Sequence, residues 1–195
     1  SPFPERLIME DFPFGCYWST GFDFDTERYA ENLAELGFTA MECNRFSRRQ
    51  PMEPYHWMYL YTNPSPAMFV WTPWHEGCWS REEIESNACE LDRTVASAIS
   101  CGLEPTFTCF LPRPYPESFF KRHPQLRGEC YDSVLLKRGG HEPEYRINTD
   151  SAEGKDFYRT VIRGLLERWP QWKHFFFWHG DLGSGFYPDG EGPAC

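Results

Sequence analysis

The chain has 195 residues, 41% hydrophobic and 18% aromatic, with a formal net charge of −10, a length and composition that suit one or two globular domains. The acidic balance argues against nucleic acid or an anionic membrane as the main partner, since both attract basic surfaces. No apolar run approaches the roughly 18 residues of a transmembrane helix, and the eight cysteines, without a Cys-x-x-Cys pair, fall short of a disulfide scaffold.

After a polar, proline-punctuated lead-in over residues 1–13, Phe14 to Ser19 reads as a first strand. Asp25 or Thr26 caps a helix running to Leu36, with Tyr29, Leu33 and Leu36 at helical spacing, and Gly37 stops it. Thr39 to Asn44 is a second strand, related to the first by a crossover of the length a parallel pair needs. Glu42 and Asn44 are predicted to share a face near its C-terminal end, where polar side chains suit either a ligand or water. Cys16, Cys43 and Cys109 fall inside predicted strands and read as reduced core residues.

From Arg45 to Trp79 no helical period holds, and the stretch is crowded with aromatic residues, including Trp57, Trp71, Trp74 and Trp79. A long irregular loop this aromatic is expected to fold over something, and aromatic faces with polar edges suit sugar rings. The same rings also suit packing against one another. Ser80-Arg81-Glu82-Glu83 is a capping box that starts a helix through Ile84, Ala88, Leu91, Val95 and Ala98, ending at Gly102. Leu103 to Leu111 follows as a third strand. Arg113 leaves it with a guanidinium that can fork onto a carboxylate or hydroxyls, or serve a structural ion pair. Glu117 to Lys121 suits a short helix, and residues 125–149 read as a polar loop. A further helix begins near Asp150-Ser151, buries Phe157, Val161, Leu165 and Trp169, and closes at Pro170.

The last strand is the most informative. Phe175-Phe176-Phe177-Trp178 gives way to His179-Gly180-Asp181 and a glycine-rich turn, so a buried strand is expected to deliver His179 and Asp181 to one pocket. Four strands interleaved with three helices predict an α/β chain forming about half of a (β/α)8 TIM barrel, from residue 14 to residue 195, whose sites lie at the C-terminal ends of strands. Such a half barrel is expected to need its remaining half or to self-associate.

The phrases Tyr17-Trp18-Ser19-Thr20, Glu42-Cys43-Asn44, Asn63-Pro64-Ser65-Pro66, Gly102-Leu103-Glu104-Pro105, Pro116-Glu117-Ser118-Phe119-Phe120 and Trp178-His179-Gly180-Asp181-Leu182-Gly183-Ser184-Gly185 resemble the N-terminal half of barrel glycoside hydrolases, the loose group around alpha-glucuronidases and beta-hexosaminidases. Beta-hexosaminidases carry an adjacent Asp-Glu pair where Asp181 is followed here by Leu182. The resemblance implies hydrolysis of a carbohydrate without naming the sugar.

Glycosidic cleavage ordinarily uses two carboxylates, one held protonated. Asp181, beside His179 and Trp178, is the expected general acid. Glu42, Asn44, Arg45, Arg113 and His179 suit sugar hydroxyls, while Trp18, Trp71, Trp74 and Trp178 suit stacking. Two rival readings keep the same residues: a non-catalytic carbohydrate-binding barrel, and a metal-dependent sugar isomerase or hydrolase with His179 and Asp181 as ligands. A third and fourth ligand are not evident among His56, His75, His123, His141 and His174, so neither a metal nor another cofactor is expected.

Overall fold

The computed structural model describes residues 7–8, 25–44, 65–110, 114–133, 144–178 and 184–187. Along them run β1 (Leu7–Ile8), α1 (Thr26–Glu35), β2 (Ala40–Glu42), α2 (Arg81–Ser100), β3 (Glu104–Phe110), β4 (Pro114–Pro116), α3 (Glu117–Arg122), β5 (Arg127–Ser133), β6 (Glu144–Ile147), α4 (Ala152–Arg168), β7 (His174–Trp178) and β8 (Ser184–Tyr187). Among these residues no helix is long and apolar enough to cross a membrane.

Local chemistry sets the limits of α1 and α2. The Asp25 carboxylate accepts the Arg28 amide at 2.9 Å and the Ser80 hydroxyl accepts the Glu83 amide at 3.3 Å, each satisfying a donor that the first helical turn leaves unpaired. Gly37 at φ 80° and Gly102 at φ 73° take up the left-handed conformation that costs glycine nothing. Gly37 and Phe38 return their N–H groups to Ala34 and Leu33, and Gly102 and Leu103 return theirs to Ile99 and Ala98. This paired cap reverses the chain sharply. Each helix therefore feeds straight into a strand, α1 into β2 and α2 into β3.

β1, β2, β3 and β7 form one parallel sheet in that order. Glu42 lies beside Thr106, and Thr106 and Thr108 lie beside His174 and Phe176. Because side chains alternate along a strand and paired residues share a side, the two faces differ in character. Met41, Phe107, Cys109 and Phe175 occupy an apolar face. There Phe107 is wholly buried and meets Phe69, Trp172 and Phe175 at ring separations of 6.0, 5.5 and 6.2 Å. Glu42, Thr106 and Thr108 occupy the other face and are buried as well.

Beyond β3 the chain leaves this pattern. β4, β6, β5 and β8 form a second sheet in that order, and each pair within it is antiparallel. Pro114 and Pro116 lie in β4, at an edge, where a missing N–H is tolerated. The register between β5 and β6 shifts between Arg127 and Cys130, and Gly128 lies so close to the partner strand that a Cβ there would be 2.9 Å from the Arg146 carbonyl oxygen. The expected TIM barrel, whole or half, is thus not the fold. A barrel needs an unbroken series of parallel strands closed on itself. Here residues 127–133 and 144–147, expected to be loop, pair antiparallel into a separate sheet, and among the described residues the parallel sheet ends at β1 and β7 without closing.

The predicted first strand over 14–19 lies outside the described residues; the strand beside β2 is Leu7–Ile8. β7 forms as predicted, but as an edge strand of the described sheet, with Phe176 and Phe177 exposed. The short helix expected at Glu117 is α3, and α4 begins at its Ser151 cap, which accepts the Gly154 amide at 2.9 Å. Arg168, near the end of α4, reaches Glu85 and Asp92 of α2 at 2.9 and 2.8 Å, and Trp169 donates its indole N–H to Asp92 at 2.7 Å.

Gly154 sits inside the first turn of α4, where an added Cβ would come to 1.9 Å from the Asn148 carbonyl oxygen. Alanine favours a helix over glycine by about 1 kcal/mol, yet backbone cannot yield to that overlap. Gly154→Ala is expected to destabilise the protein by about 1–3 kcal/mol, measured by urea unfolding against Glu153→Ala as an exposed control in the same turn.

Candidate functional site

β2 ends at Glu42, whose residue is 4% exposed, and the chain then turns away from β3. Asn44 replaces the missing rung of the ladder. Its Nδ2 donates to the Thr108 carbonyl at 2.6 Å and its Oδ1 accepts the Thr108 N–H at 2.9 Å. Both ends of the amide are engaged by the backbone of one residue, so Asn44 extends the β2–β3 pairing in the plane of the sheet. It supports the site rather than offering these groups to a ligand. Glu42, Thr106 and Thr108 are the polar side chains that the β2–β3 register places on one face, at the end of β2 and midway along β3.

Trp178 is the last residue of β7 and pairs with Phe110, the last residue of β3 and four residues beyond Thr106, and Asp181 follows it by three residues in the sequence. Asp181, His179, Trp18, Arg45 and Arg113 lie outside the described residues. Thr106 and Thr108 were passed over in the sequence because threonine is an ordinary strand former. The available signal was their alternation with Phe107 and Cys109, which puts two hydroxyls on one side of a strand whose other side is apolar.

Trp71 and Trp74 stand apart from Glu42. Ser65 to Trp79 packs on the apolar face of the sheet, anchored by Phe69 on Phe107, and contains two short 3-10 turns, Pro66–Met68 and Pro73–His75. Trp74 meets His123 at 5.5 Å and Phe157 of α4 at 6.4 Å. Trp71 lies 5.6 Å from the His75 ring, with the Arg81 guanidinium 5.7 Å from its centroid. Trp79 meets Tyr115 and Phe119 at 5.9 and 5.2 Å. These rings join helices and sheets on the side of β3 opposite Glu42.

His75 organises this segment. It is 1% exposed and its Nδ1 accepts the Thr72 N–H at 2.9 Å. A backbone N–H can only donate, so Nδ1 is unprotonated and the ring proton sits on Nε2. Burial disfavours the charged ring and holds its pKa at about 4, a shift that the carbonyls of Thr72 and Ala67 oppose and His123 reinforces. His123 is lowered too, chiefly by burial. On the other side of the segment, burial pushes the Cys43 thiol up to about 12. Cys43 and Cys109 are free and buried, as the sequence suggested. Among the described residues no group of three or more His, Cys, Asp and Glu side chains is placed to hold a metal ion.

No protein-family model matches the sequence, and a search of curated proteins finds no match.

A histidine whose folded pKa lies below its unfolded value stabilises the fold fully above the unfolded value, near 6.5, and loses that contribution as pH falls toward 4. Between pH 7 and pH 4.5 His75 is expected to account for a loss of about 2 kcal/mol. Urea unfolding at the two pH values should show a smaller loss for His75→Gln than for the native chain; equal losses would mean that His75 is not the titrating group.

Proposed function

We propose that this chain is a glycoside hydrolase that cleaves a carbohydrate substrate at the C-terminal edge of its parallel sheet by carboxylate acid/base chemistry. The observation that carries the reading is Glu42, a carboxylate buried at the end of β2 on a face that also presents Thr106 and Thr108. In open α/β sheets ligands bind outside the carboxyl ends of the strands. β2 and β7 run in the same direction on either side of β3, but Glu42 is level with Thr106 and with His174, the first residue of β7, so the end of β7 at Trp178 lies four residues further along, roughly 16 Å from the end of β2 at the usual strand spacings. Glu42 ends one strand, and Asp181 follows the end of the other by three residues.

In this scheme Asp181 protonates the departing glycosidic oxygen and Glu42, as the second carboxylate, supports positive charge building on the sugar ring or takes a proton from the attacking water. Asn44 holds the β2 end in place through Thr108. The binding of saccharide stands apart from turnover, and the rival of a carbohydrate-binding protein without hydrolysis differs in that respect alone.

The test is hydrolysis of a panel of 4-nitrophenyl glycosides by the complete chain, followed by Glu42→Gln and Asp181→Asn. Glu42→Gln is expected to lose about 10²–10⁴-fold in turnover on the substrate that is cleaved, and Asp181→Asn a loss of that order on the alkyl glycoside of the same sugar, the usual worth of one acid or base, with little change in binding. Asp181→Asn should lose less on the aryl glycoside than on the corresponding alkyl glycoside, whose leaving group needs the proton. A native chain that binds saccharides and cleaves none would be a binding protein; full activity in Glu42→Gln would remove Glu42 from the chemistry.

A further inference from the structure

The polar face of the sheet holds two hydroxyls for which the described residues supply no partner. Thr106 Oγ1 and Thr108 Oγ1 are buried and find no hydrogen-bond partner among the described residues, and their residues are 0% and 1% exposed. Their backbones are satisfied independently: Cys43 donates its N–H to the Thr106 carbonyl, and Asn44 takes both groups of Thr108. An unpartnered buried hydroxyl costs roughly 1–3 kcal/mol, and valine would fill the same volume without that cost. The penalty is incurred twice, at alternate positions of one strand, on the side that carries Glu42.

We propose, building on the glycoside reading of this face, that Thr106 and Thr108 are substrate-binding residues whose hydroxyls pair with the hydroxyls of a neutral saccharide and so select an uncharged sugar over a uronic acid. A threonine hydroxyl both donates and accepts, which matches a sugar hydroxyl and gives no charge to a carboxylate. Two residues apart on one strand, the pair is spread over about 7 Å, enough to grip opposite ends of one sugar ring. β2, β3 and β7 contain no lysine or arginine, whereas a uronic acid would bring its carboxylate toward that of Glu42 in a site with little water to screen the repulsion.

The experiment is calorimetric titration of the complete chain with the methyl glycosides of glucose, galactose, mannose and xylose, and with sodium glucuronate. Thr106→Val/Thr108→Val and Thr106→Ser/Thr108→Ser are titrated in parallel. The native chain is expected to bind at least one neutral methyl glycoside more tightly than glucuronate. The valine pair should lose about tenfold or more in that affinity while the ligand-free protein melts a few degrees higher, and the serine pair should keep most of the binding. Failure to bind any neutral glycoside, tighter binding of glucuronate, unchanged affinity in the valine pair, or a lower melting temperature in it would each overturn the proposal, the last by showing the hydroxyls to be satisfied internally or by buried water. Binding that follows this pattern without hydrolysis would overturn the hydrolase reading and leave the two threonines as ligand groups. Hydrolysis of a neutral glycoside at native rates by the valine pair would do the reverse.

Discussion

The register of β3 against its two neighbours is the constraint on which the rest of the structure depends. Side chains on a strand alternate with a period of two, so a slip of one residue would exchange its faces. It would carry Thr106 and Thr108 into the ring cluster around Phe69 and Trp172, and would turn Phe107 toward Glu42. Asn44 guards against that slip from beyond the end of β2. Its amide reproduces the donor and acceptor of a peptide group and locks onto the Thr108 backbone at 2.6 and 2.9 Å, where the main chain of β2 has already left the sheet. A residue whose type suggests sugar recognition is thus committed to alignment, and the side chains it aligns are those of its neighbours.

The aromatic excess finds much of its use on the opposite face. Phe69, Phe107, Trp172 and Phe175 pack against one another there, and Trp79, Tyr115, Phe119 and Phe157 continue the layer toward the antiparallel sheet. Rings meeting edge to face contribute beyond the area they bury, and they connect elements from distant parts of the chain. Polar groups stiffen the margins. Arg127 stands 3.9 Å over the Tyr145 ring while pairing with Glu117 at 3.3 Å, and His75 fixes the 3-10 turn that carries Trp74.

What could be read from the sequence was what local chemistry encodes. α1, α2 and α4 were legible because Asp25, Ser80 and Ser151 are cap residues, and because Gly37 and Gly102 stop two of those helices in a backbone conformation that other residues resist. β5 and β6 were not. Arg127-Gly128-Glu129 has no apolar alternation, and in β6 the buried Tyr145 and Ile147 flank Arg146 in too short a run to give a period, so these strands exist through pairing with each other across a distance that periodicity does not see. The same ambiguity misdirected Trp71 and Trp74, since a row of aromatic residues has one composition whether it covers a ligand or a core. Glu42 was legible as a carboxylate at a strand end. The face it shares with Thr106 and Thr108 required the register.

That face departs from what a parallel sheet ordinarily shows. Parallel strands are covered on both sides and tend to read as continuous apolar runs, which makes a carboxylate and two hydroxyls buried at adjacent positions a standing cost to stability. The neighbouring thiol shows how unsuited these surroundings are to a bare charge. Cys43 is driven up to about 12 mainly by burial, with the charge of Glu42 adding to the shift and a backbone hydrogen bond from Thr106 opposing it. A thiol held that high carries almost no thiolate and cannot serve as a nucleophile. Of the two adjacent residues with reactive heteroatoms at the end of β2, the thiol is thereby excluded as a nucleophile, and the carboxyl group lies on the side of the sheet that carries Thr106 and Thr108.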